Sequence, residues 1–251
     1  MRGLENKVII LTGGGSGLGR GMTHRLAAAG ARVMVFDLNL AGAEETVAKL
    51  GGCHAFAVDI SDYDACSAAV EAVVARHGQV HGLVNNAGWD AAAPFLQTEP
   101  KLWRKIVDIN LYGPLNMHHV TLPHMLANGG GKIVNIASDA GRVGSSGEAV
   151  YSACKGGVIA FGKTVSRELA RQGVTINTVC PGPSDTPLFE DFAGPGERGV
   201  KLREALARSI PLKRLGQPED VAGIVAFLLS DEADFIVGQT ISVSGGLTMH
   251  G

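Results

Sequence analysis

The stretch TGGGSGLG occupies residues 12–19 and directly follows the apolar run VIIL at residues 8–11. A helical pattern begins inside it and continues over residues 18–29. Glycines allow the chain to turn tightly and approach a pyrophosphate, while the N-terminus of a helix offers N–H groups and a positive dipole. The glycine spacing, GxxxGxG, therefore indicates a dinucleotide site, and a tight strand-to-helix turn without a ligand is the alternative interpretation.

Strand-like and helical patterns alternate along the rest of the chain. The predicted strands cover residues 8–11, 32–36, 55–58, 82–84, 132–136, 175–179 and 240–243. The predicted helices cover residues 18–29, 43–50, 64–77, 101–126, 150–171 and 218–229. This regular alternation predicts an α/β fold: a Rossmann-type, doubly wound parallel sheet of seven strands with helices on both faces, in one NAD(P)-binding domain over residues 1–251.

Composition argues against several classes of protein. Apolar residues make up 45% of the chain and the formal net charge is −2, so no general field attracts nucleic acid or an anionic membrane. No apolar run approaches the roughly 20 residues of a membrane-spanning helix, and the polar residues 1–7 predict no signal peptide. Cys53, Cys66, Cys154 and Cys180 lack CxxC spacing, which predicts reduced, mostly buried thiols. We therefore expect a cytoplasmic protein with no nucleic-acid or membrane partner.

Asp37 ends the second predicted strand, eighteen residues after Gly19. A carboxylate near an offset of about 20 residues binds the ribose 2′-OH of a dinucleotide. The same charge would repel the 2′-phosphate of NADP, and no Arg or Lys lies in the glycine turn or directly after Asp37 to offset that repulsion. The pattern favours NAD as the cofactor. A helix cap or a turn residue is the alternative for Asp37.

Two further polar positions follow predicted strands, where ligands of doubly wound sheets bind. Asp59 ends the third strand and is placed either to accept the adenine amino group or to cap the helix that begins near Ser61. The sequence NNAG at Asn85–Gly88 follows the fourth strand, beside the expected cofactor cleft. A purely structural turn is the rival interpretation for the two asparagines.

Tyr151 and Lys155 are four residues apart in a predicted helix and share one face of it. An ammonium group near a phenol stabilises the phenolate and lowers the pKa of the tyrosine, and an oxidised nicotinamide, which is also positive, acts in the same direction. The pair therefore predicts a general base for alcohol oxidation and a general acid for ketone reduction. Ser138 closes the preceding strand, where its hydroxyl is placed to hold the substrate oxygen.

Asn110 lies in the apolar part of the predicted helix 101–126 and needs a polar partner there. Lys155, reached through a water molecule, is one candidate, and a satisfied core amide is the alternative. Cys154 is next to Lys155 in sequence but lies off the face that Tyr151 and Lys155 share, so we expect it to pack rather than react.

The chain resembles the short-chain dehydrogenases/reductases over its whole length. The resemblance is carried by residues 12–19, Asn85–Gly88, Asn110, Ser138, Tyr151, Lys155 and Pro181-Gly182, which stand in that family's order and spacing. It implies a proton-relay tetrad of Asn110, Ser138, Tyr151 and Lys155, with Lys155 also on the nicotinamide ribose and Thr186 on the carboxamide. It further implies a homotetramer. The cofactor contacts expected at the strand ends are Gly13, Ser16, Gly17, Leu18, Gly19, Asp37, Leu38, Asp59, Ile60, Asn86, Ala87, Gly88, Tyr151, Lys155, Pro181, Gly182, Ser184 and Thr186.

A closer resemblance, within that family, is to the dehydrogenases of 2-hydroxycyclohexanecarboxyl-CoA. It is carried by residues 36–40 (FDLNL), 85–90 (NNAGWD), 137–155 (ASDAGRVGSSGEAVYSACK), 179–183 (VCPGP) and 242–249 (SVSGGLTM). It implies NAD-dependent interconversion of a secondary alcohol and a ketone on a cyclic or aromatic hydroxy compound. The expected substrate contacts are Ser138, Arg142, Glu148 and Tyr151.

Three alternatives to this substrate assignment stay open. Relatives acting on aryl secondary alcohols of the 1-phenylethanol type share the same tetrad. A 3-oxoacyl-acyl-carrier-protein reductase is a second possibility, although such enzymes usually prefer NADP and Asp37 argues against it. A dinucleotide-sensing protein without enzymatic activity is the third, and it would not need an intact tetrad.

Several other residues have a functional and a structural interpretation. The irregular, Pro- and Gly-rich residues 184–209 form either a lid over the site or a plain surface loop. Trp89, Asp90 and Phe95 either line the substrate pocket, as Arg142 and Glu148 are expected to do, or pack within loops. Lys201, Arg203 and Arg208 either meet the phosphates of CoA or belong to a solvated helix face. His118, His119 and His124 form no i, i+4 pair, and we expect no metal site.

Overall fold

The computed structural model describes residues 1–249 of the chain. The centre of the fold is a seven-stranded, all-parallel sheet with the strand order β3-β2-β1-β4-β5-β6-β7. The strands are β1 (Val8–Thr12), β2 (Arg32–Asp37), β3 (His54–Ala57), β4 (Gly82–Asn85), β5 (Gly131–Ile136), β6 (Val174–Pro181) and β7 (Thr240–Val243). The predicted doubly wound α/β fold is confirmed.

Helices cover both faces of this sheet. They are α1 (Gly17–Ala28), α2 (Leu40–Val47), α3 (Tyr63–His77), α4 (Pro100–Val107), α5 (Gly113–Ala127), α6 (Ala140–Val143), α7 (Ala149–Leu169), α8 (Pro187–Ala193), α9 (Gly196–Ser209) and α10 (Pro218–Leu229). Across the residues that the structure describes, we find no helix with both the length and the apolar character that crossing a membrane requires.

The side chains of β1 alternate between two hydrophobic cores, as the pleat of a strand dictates. Ile9 and Leu11 belong to the core that α1 and α10 complete on one face of the sheet. Val8 and Ile10 belong to the core that α3 and α5 complete on the other face. Every residue of β1 is buried, which explains why the strand is a continuous apolar run rather than an alternating one.

Strand β1 pairs with β2 on one side and with β4 on the other, so the chain winds outward from β1 in both directions. A crevice opens at the carboxyl ends of the strands where the winding reverses, and this is where doubly wound folds bind ligands. The glycine turn leaves β1 at this point, and the NNAG turn leaves β4 beside it.

Hydrogen bonds from the NNAG turn hold the glycine turn in position. Asn86 Nδ2 donates to the carbonyl oxygens of Thr12 and Gly13, at 3.0 and 2.9 Å. In return, the Thr12 hydroxyl accepts from the backbone N–H groups of Asn86 and Ala87, at 3.0 and 3.1 Å. Asn85 points elsewhere and donates to Asn135 Oδ1 on the neighbouring strand at 3.0 Å. The structural interpretation of both asparagines therefore holds for their side-chain bonds.

The predicted single helix over residues 101–126 is wrong in one respect. A π-helical turn at Asp108–Tyr112 separates α4 from α5. The turn contains Asn110, whose side-chain amide donates to the carbonyl oxygen of Ile106, four residues earlier, at 2.9 Å. In a regular α-helix that carbonyl is the partner of the backbone N–H of residue 110. Side-chain competition of this kind is not visible in hydrophobic periodicity, and π turns are frequent at functional sites.

The interpretation of residues 184–209 as irregular is also wrong, because most of them form α8 and α9. Phe189 of α8 is buried in a small core with Ile210 and Leu215. The Pro and Gly residues that suggested a loop stand at helix boundaries: Pro187 begins α8, and Gly194 follows its last residue with a positive φ of 73°. Pro at the first position and Gly after the end of a helix are favoured signals that the sequence interpretation did not use.

We expect Gly19→Ala to destabilise the fold. A Cβ at Gly19 would lie on the Gly13 carbonyl oxygen, inside van der Waals contact, because the first turn of α1 packs against the glycine turn. The free energy of unfolding should fall by about 1–3 kcal/mol, the usual penalty of overpacking, as measured by urea denaturation. Gly223→Ala is the matched control, since a Cβ there meets no atom within 4 Å and alanine should stabilise the helix by up to ~1 kcal/mol. Equal stability of the Gly19→Ala variant and the wild type would contradict this packing.

Candidate active site

A cleft of about 1430 Å³ opens at the carboxyl ends of the strands. Every residue predicted to contact the cofactor lines it, from Gly13 in the first turn to Thr186 before α8. The substrate candidates Ser138, Tyr151 and Glu148 line the same cleft. The fold therefore brings together side chains that are up to about 170 residues apart in sequence, because parallel strands present their carboxyl ends at one edge of the sheet.

Asp37 is held against the glycine turn. Its Oδ2 accepts from the Gly15 backbone N–H at 2.8 Å, and its Oδ1 accepts from the Asn39 N–H at 2.8 Å. The helix cap of α2 is Asn39, which accepts from the Gly42 N–H, so the cap alternative does not apply to Asp37 itself. Asp37 is only half-buried, and its carboxylate lines the cleft from the end of β2.

Asp59 contributes to a local turn as well as to the cleft. Its Oδ1 accepts from the backbone N–H and the hydroxyl of Ser61, at 2.9 and 2.7 Å. The N-cap of α3 is Asp62, which accepts from the N–H groups of Asp64 and Ala65. Asp59 therefore orders the segment that leads into the helix, and with Ile60 it forms the wall of the cleft beyond β3.

The segment after β6 closes the cleft over the glycine turn. Thr186 caps α8 by accepting from the Phe189 N–H at 3.3 Å, and a Cβ added at Gly17 would lie 3.3 Å from the Thr186 Cβ. Ser184 is buried and donates to the Gly182 carbonyl oxygen at 2.9 Å. This bond gives the buried hydroxyl a hydrogen-bond partner within the protein, so the serine does not need a ligand as its partner.

Lys155 is almost completely buried beneath Tyr151 on α7. Its Nζ donates to the Ile136 carbonyl oxygen of β5 at 3.0 Å and lies 5.5 Å from the centroid of the Tyr151 ring. Burial lowers the pKa of Lys155 to about 8, which still leaves most of the ammonium protonated at neutral pH. Close packing of α6 fixes this position, because a Cβ at Gly141 would lie 2.8 Å from the Lys155 Cβ.

Ser138 and Tyr151 lie close enough for the serine side chain to act on the phenol. Ser138 Oγ accepts from the Ala140 N–H at 3.1 Å, which fixes its hydroxyl at the end of β5. The pKa of Tyr151 is raised above its ordinary value, first by burial and then by the carboxylates of Glu148 and Asp90, while the side chain of Ser138 lowers it. This net direction is opposite to the one that the Tyr–Lys spacing alone predicts, because that spacing shows neither the burial of the phenol nor the approach of the two carboxylates.

Asn110 is fully buried and lies behind the cleft lining rather than in it. Its amide donates to the Trp89 carbonyl oxygen at 2.6 Å, and its Oδ1 accepts from the Trp89 N–H at 3.3 Å. A Cβ at Gly88 would lie 2.9 Å from Asn110 Oδ1 and 3.4 Å from Lys155 Nζ, so both groups surround the same glycine. Asn110 is thus a satisfied amide of the interior that stands next to Lys155.

Arg142 does not line the cleft, in contrast to its prediction as a substrate contact. Its guanidinium donates to Ser242 Oγ on β7 at 2.8 Å, and Ser242 in turn donates to the buried carboxylate of Asp139. The Arg142 side chain points from α6 towards β7, the edge strand of the sheet, while its neighbour Val143 lines the cleft. Sequence alone could not separate these two directions within a helix of one turn.

Sequence reasoning missed the apolar wall of the site. It consists of Val143 and of side chains from α8 and α9: Leu188, Phe189, Phe192, Leu202 and Leu206. Their spacing of three or four residues is the helical signal that could have identified them. The segment 187–209 therefore lies over the cleft, as the lid interpretation predicts.

Three of the four basic residues of this segment form ion pairs. Lys201 and Arg208 pair with Glu197 and Glu204, one helical turn away on the exposed face of α9, which agrees with the interpretation as a solvated face. Arg203 pairs with Asp185 at 2.6 Å and lies over the Phe189 ring, so it fastens α9 to the start of α8. A different basic set on α4 was missed and lines the cleft: Lys101, Arg104 and Lys105.

Comparison with known proteins places the chain among nicotinamide-linked oxidoreductases. A family model described as enoyl-(acyl carrier protein) reductase matches residues 13–248. The chain is 35% identical over 250 residues to the 3-oxoacyl-(acyl-carrier-protein) reductase FabG of Thermotoga maritima, covering 98% of this chain and 99% of the relative. It is 38% identical over 251 residues to the 2,3-dihydroxy-2,3-dihydro-p-cumate dehydrogenase of Pseudomonas putida, covering 98% and 96%.

A solved structure is similar over the same length. The 3-ketoacyl-(acyl-carrier-protein) reductase of Brucella melitensis, crystallised in complex with NADH, superimposes with a TM-score of 0.90 at 35% identity. The match covers 98% of this chain and 100% of that one.

We expect Glu148→Gln to lower the pKa of Tyr151. The phenolate is negative, so removing a neighbouring negative charge makes ionisation easier and moves the titration to lower pH. The measurement is the tyrosinate absorbance as a function of pH in a Tyr63→Phe, Tyr112→Phe background, where Tyr151 is the one remaining tyrosine of the three. Glu44→Gln, an exposed glutamate outside the cleft, is the control. An unchanged or higher pKa would show that Glu148 does not act on the phenol.

Proposed function

The chain belongs to the short-chain dehydrogenase/reductase family, and from that premise we propose that it is an NAD-dependent dehydrogenase that interconverts a secondary alcohol and a ketone. The observation that carries the proposal is the placement of Ser138 and Tyr151 together in the cleft that the glycine turn opens, with the Lys155 ammonium 5.5 Å from the tyrosine ring. Any one of these features has a structural explanation, whereas their convergence in one cleft has no evident structural one.

The shape of the cleft fits a dinucleotide. The glycine turn leaves no room for a side chain at Gly13, where a Cβ would lie 2.7 Å from the Ala87 Cα, so the backbone itself faces the cleft ahead of the N-terminus of α1. Such a cradle suits a pyrophosphate. Asp37 would hold the adenosine ribose, Asp59 and Ile60 the adenine, Lys155 the nicotinamide ribose, and Thr186 the carboxamide.

The residues around the reacting carbon each have a defined task. NAD, when bound, accepts the hydride of the carbinol carbon. Ser138 holds the substrate oxygen, and Tyr151 takes the hydroxyl proton in oxidation or returns it in reduction. The Lys155 ammonium favours the phenolate against the opposing effects of burial and of the neighbouring carboxylates. Asn110 fixes the Trp89 backbone beside Lys155 and so keeps the ammonium in position.

A cyclic or aromatic hydroxy compound, of the 2-hydroxycyclohexanecarboxyl-CoA kind, is the substrate class that we propose. The apolar wall of Val143, Phe189, Phe192 and Leu206 supports it, because a ring buries well against such side chains. The Pseudomonas relative, named for a dihydroxylated ring compound, also supports a cyclic substrate. An aryl secondary alcohol of the 1-phenylethanol type would use the same wall and the same residues.

Reduction of a 3-oxoacyl thioester is the second candidate function. It is favoured by the Thermotoga and Brucella relatives, both named as reductases of acyl-carrier-protein substrates. The Brucella protein was crystallised with NADH, so cofactor preference alone does not separate the two activities. A substrate panel does: acetoacetyl thioesters against cyclic hydroxyacyl-CoA esters, free cyclic alcohols and aryl alcohols. We further infer a cytoplasmic homotetramer from the family resemblance, to be checked by sedimentation.

Tyr151→Phe should lower kcat/KM for alcohol oxidation by about a hundredfold or more, since it removes the group that exchanges the proton. The assay is NADH formation with saturating NAD and a cyclic secondary alcohol. Tyr112→Phe, which changes an exposed tyrosine outside the cleft, should behave as the wild type. Turnover of the Tyr151→Phe variant near the wild-type rate would refute this role. NAD binding by the wild type without turnover of any panel member would favour the dinucleotide sensor.

Asp37→Asn should lower the preference for NAD over NADP by about tenfold or more. The amide keeps the shape of the side chain and one acceptor, but it no longer repels a 2′-phosphate. The quantity to compare is kcat/KM with NAD divided by kcat/KM with NADP, at constant alcohol concentration. Asp64→Asn, an exposed aspartate on α3 outside the cleft, is the matched control. An unchanged ratio would remove Asp37 from the ribose site.

A further inference from the structure

Asp90 and Glu148 form an acidic pair inside the catalytic cleft. Asp90 lies in the loop after β4 and Glu148 immediately before α7, and both line the cleft with Tyr151. The two loops are joined, because the Ala93 N–H donates to the Gly147 carbonyl oxygen at 2.9 Å. Glu148 and Tyr151 are three residues apart at the start of α7, which puts them on neighbouring positions of one helix face.

The Asp90 carboxylate lacks the well-placed hydrogen-bond donors that a buried carboxylate requires. Both of its oxygens are shielded from solvent, and neither has a partner with hydrogen-bond geometry among residues 1–249. The Ala91 backbone and the Glu148 carboxyl are the nearby polar groups that act on it. Within the same residues, neither Asp90 nor Glu148 takes part in an ion pair. A buried acceptor without a donor costs about 1–3 kcal/mol, and more if it is charged. Burial and the neighbouring Glu148 raise the pKa of Asp90 to about 6, as expected for two carboxyl groups that share a confined space.

We propose that Asp90 and Glu148 determine substrate specificity by accepting a hydrogen bond from a second donor group, a hydroxyl or an ammonium, on the substrate near its reacting carbinol. This inference rests on the proposed function, because it places the second group relative to the alcohol that Ser138 and Tyr151 hold. The same two carboxylates repel a free carboxylate at that position. Among the cyclic compounds proposed above, this favours alcohols with a second donor near the reacting carbon over a 2-hydroxycyclohexanecarboxyl thioester, which has only an acceptor there.

The structure argues against the plainer interpretation that the pair serves only the fold. The joint between the two loops is a backbone bond, from Ala93 to Gly147, and does not need either side chain. Three basic residues of α4 line the same cleft, but within residues 1–249 none forms an ion pair with Asp90 or Glu148, and Lys105 lies over the Trp89 ring at 3.6 Å. Asp90 and Glu148 disfavour the phenolate of Tyr151 by raising its pKa, so a role in binding would compensate for their presence.

The test compares four alcohols on one ring: cyclohexanol, 1,2-cyclohexanediol, 2-aminocyclohexanol and 2-hydroxycyclohexanecarboxylate. For the wild type with NAD, we expect kcat/KM for the diol or the amino alcohol to exceed that for cyclohexanol about tenfold or more, because a site with unpaired acceptors discriminates against a substrate that lacks the donor. The better of the two identifies the donor. The free carboxylate should be the poorest of the four substrates.

Two variants separate the acceptor from the charge. Asp90→Leu removes both acceptors at similar volume and should lower the ratio of diol to cyclohexanol about tenfold, towards one. Asp90→Asn removes the charge and should raise the ratio of carboxylate to cyclohexanol. Ratios are the readout because both substrates of a pair use the same base, so a change in the pKa of Tyr151 cancels. Glu148→Gln gives a second, independent alteration of the pair, and Asp64→Asn should keep the wild-type ratios.

The outcomes distinguish the two proposals. If the wild type oxidises cyclohexanol and the diol equally well, or if the Asp90 and Glu148 variants leave the ratios unchanged, the specificity inference is overturned while the dehydrogenase activity stands. If the wild type oxidises none of the four alcohols, the specificity inference is overturned, and the dehydrogenase proposal is then decided by the panel of cyclic hydroxyacyl-CoA esters and aryl alcohols described above. Thermal unfolding of each variant, followed by circular dichroism, shows that any change in a ratio comes from a folded protein.

Discussion

Hydrogen bonds between Asn86 and the C-terminal end of β1 join the glycine turn to the NNAG turn. The Asn86 side-chain amide donates to the carbonyl oxygens of Thr12 and Gly13, and the Thr12 hydroxyl accepts from the backbone N–H groups of Asn86 and Ala87. The glycine turn on one side of this joint faces the expected pyrophosphate, and Gly88 on the other side touches Asn110 and Lys155. The position of the tetrad relative to the cofactor cradle therefore depends on a contact between two turns, not on a catalytic side chain.

Burial and charge both raise the pKa of Tyr151, the residue proposed as the base. The Lys155 ammonium lies 5.5 Å from the centroid of its ring, yet burial, the largest cause, and the carboxylates of Glu148 and Asp90 raise the pKa of the phenol. Placing anions near a residue proposed as a base is unfavourable for proton abstraction. Asp90 and Glu148 therefore make the phenolate of Tyr151 less available for proton abstraction. A gain in selectivity among alcohol substrates is the property that can compensate for this loss.

Prediction from sequence worked where a local pattern has one physical meaning. Apolar runs of β1 and β5, the glycine turn and the i, i+4 spacing of Tyr151 and Lys155 all depend on neighbours in the chain, and all are found as predicted. It failed where the outcome depends on distant partners. The direction of Arg142 is set by Ser242 on β7. The side chain of Asn110 is held by the Trp89 backbone as well as by Ile106. The carboxylate of Asp90, from a loop sixty residues earlier, adds to that of Glu148 beside Tyr151. The helices within residues 187–209 could have been predicted from local signals. Pro187 at the start of α8 and Gly194 after its end marked the helix boundaries, and the sequence interpretation did not use them.

The π turn between α4 and α5 makes this part of the chain one residue longer than a regular helix over the same distance would need. A deletion of one residue there would restore uninterrupted α-helical hydrogen bonding, and the following segment would keep its rotation, so buried Met117 and Val120 would still face the sheet. The widened turn that carries Asn110 would be lost, and with it the hydrogen bonds between its side-chain amide and the Trp89 backbone. The extra residue therefore serves the surroundings of Lys155 rather than the core, and a homologous sequence that lacks it should keep the packing of this helix but not the amide at position 110.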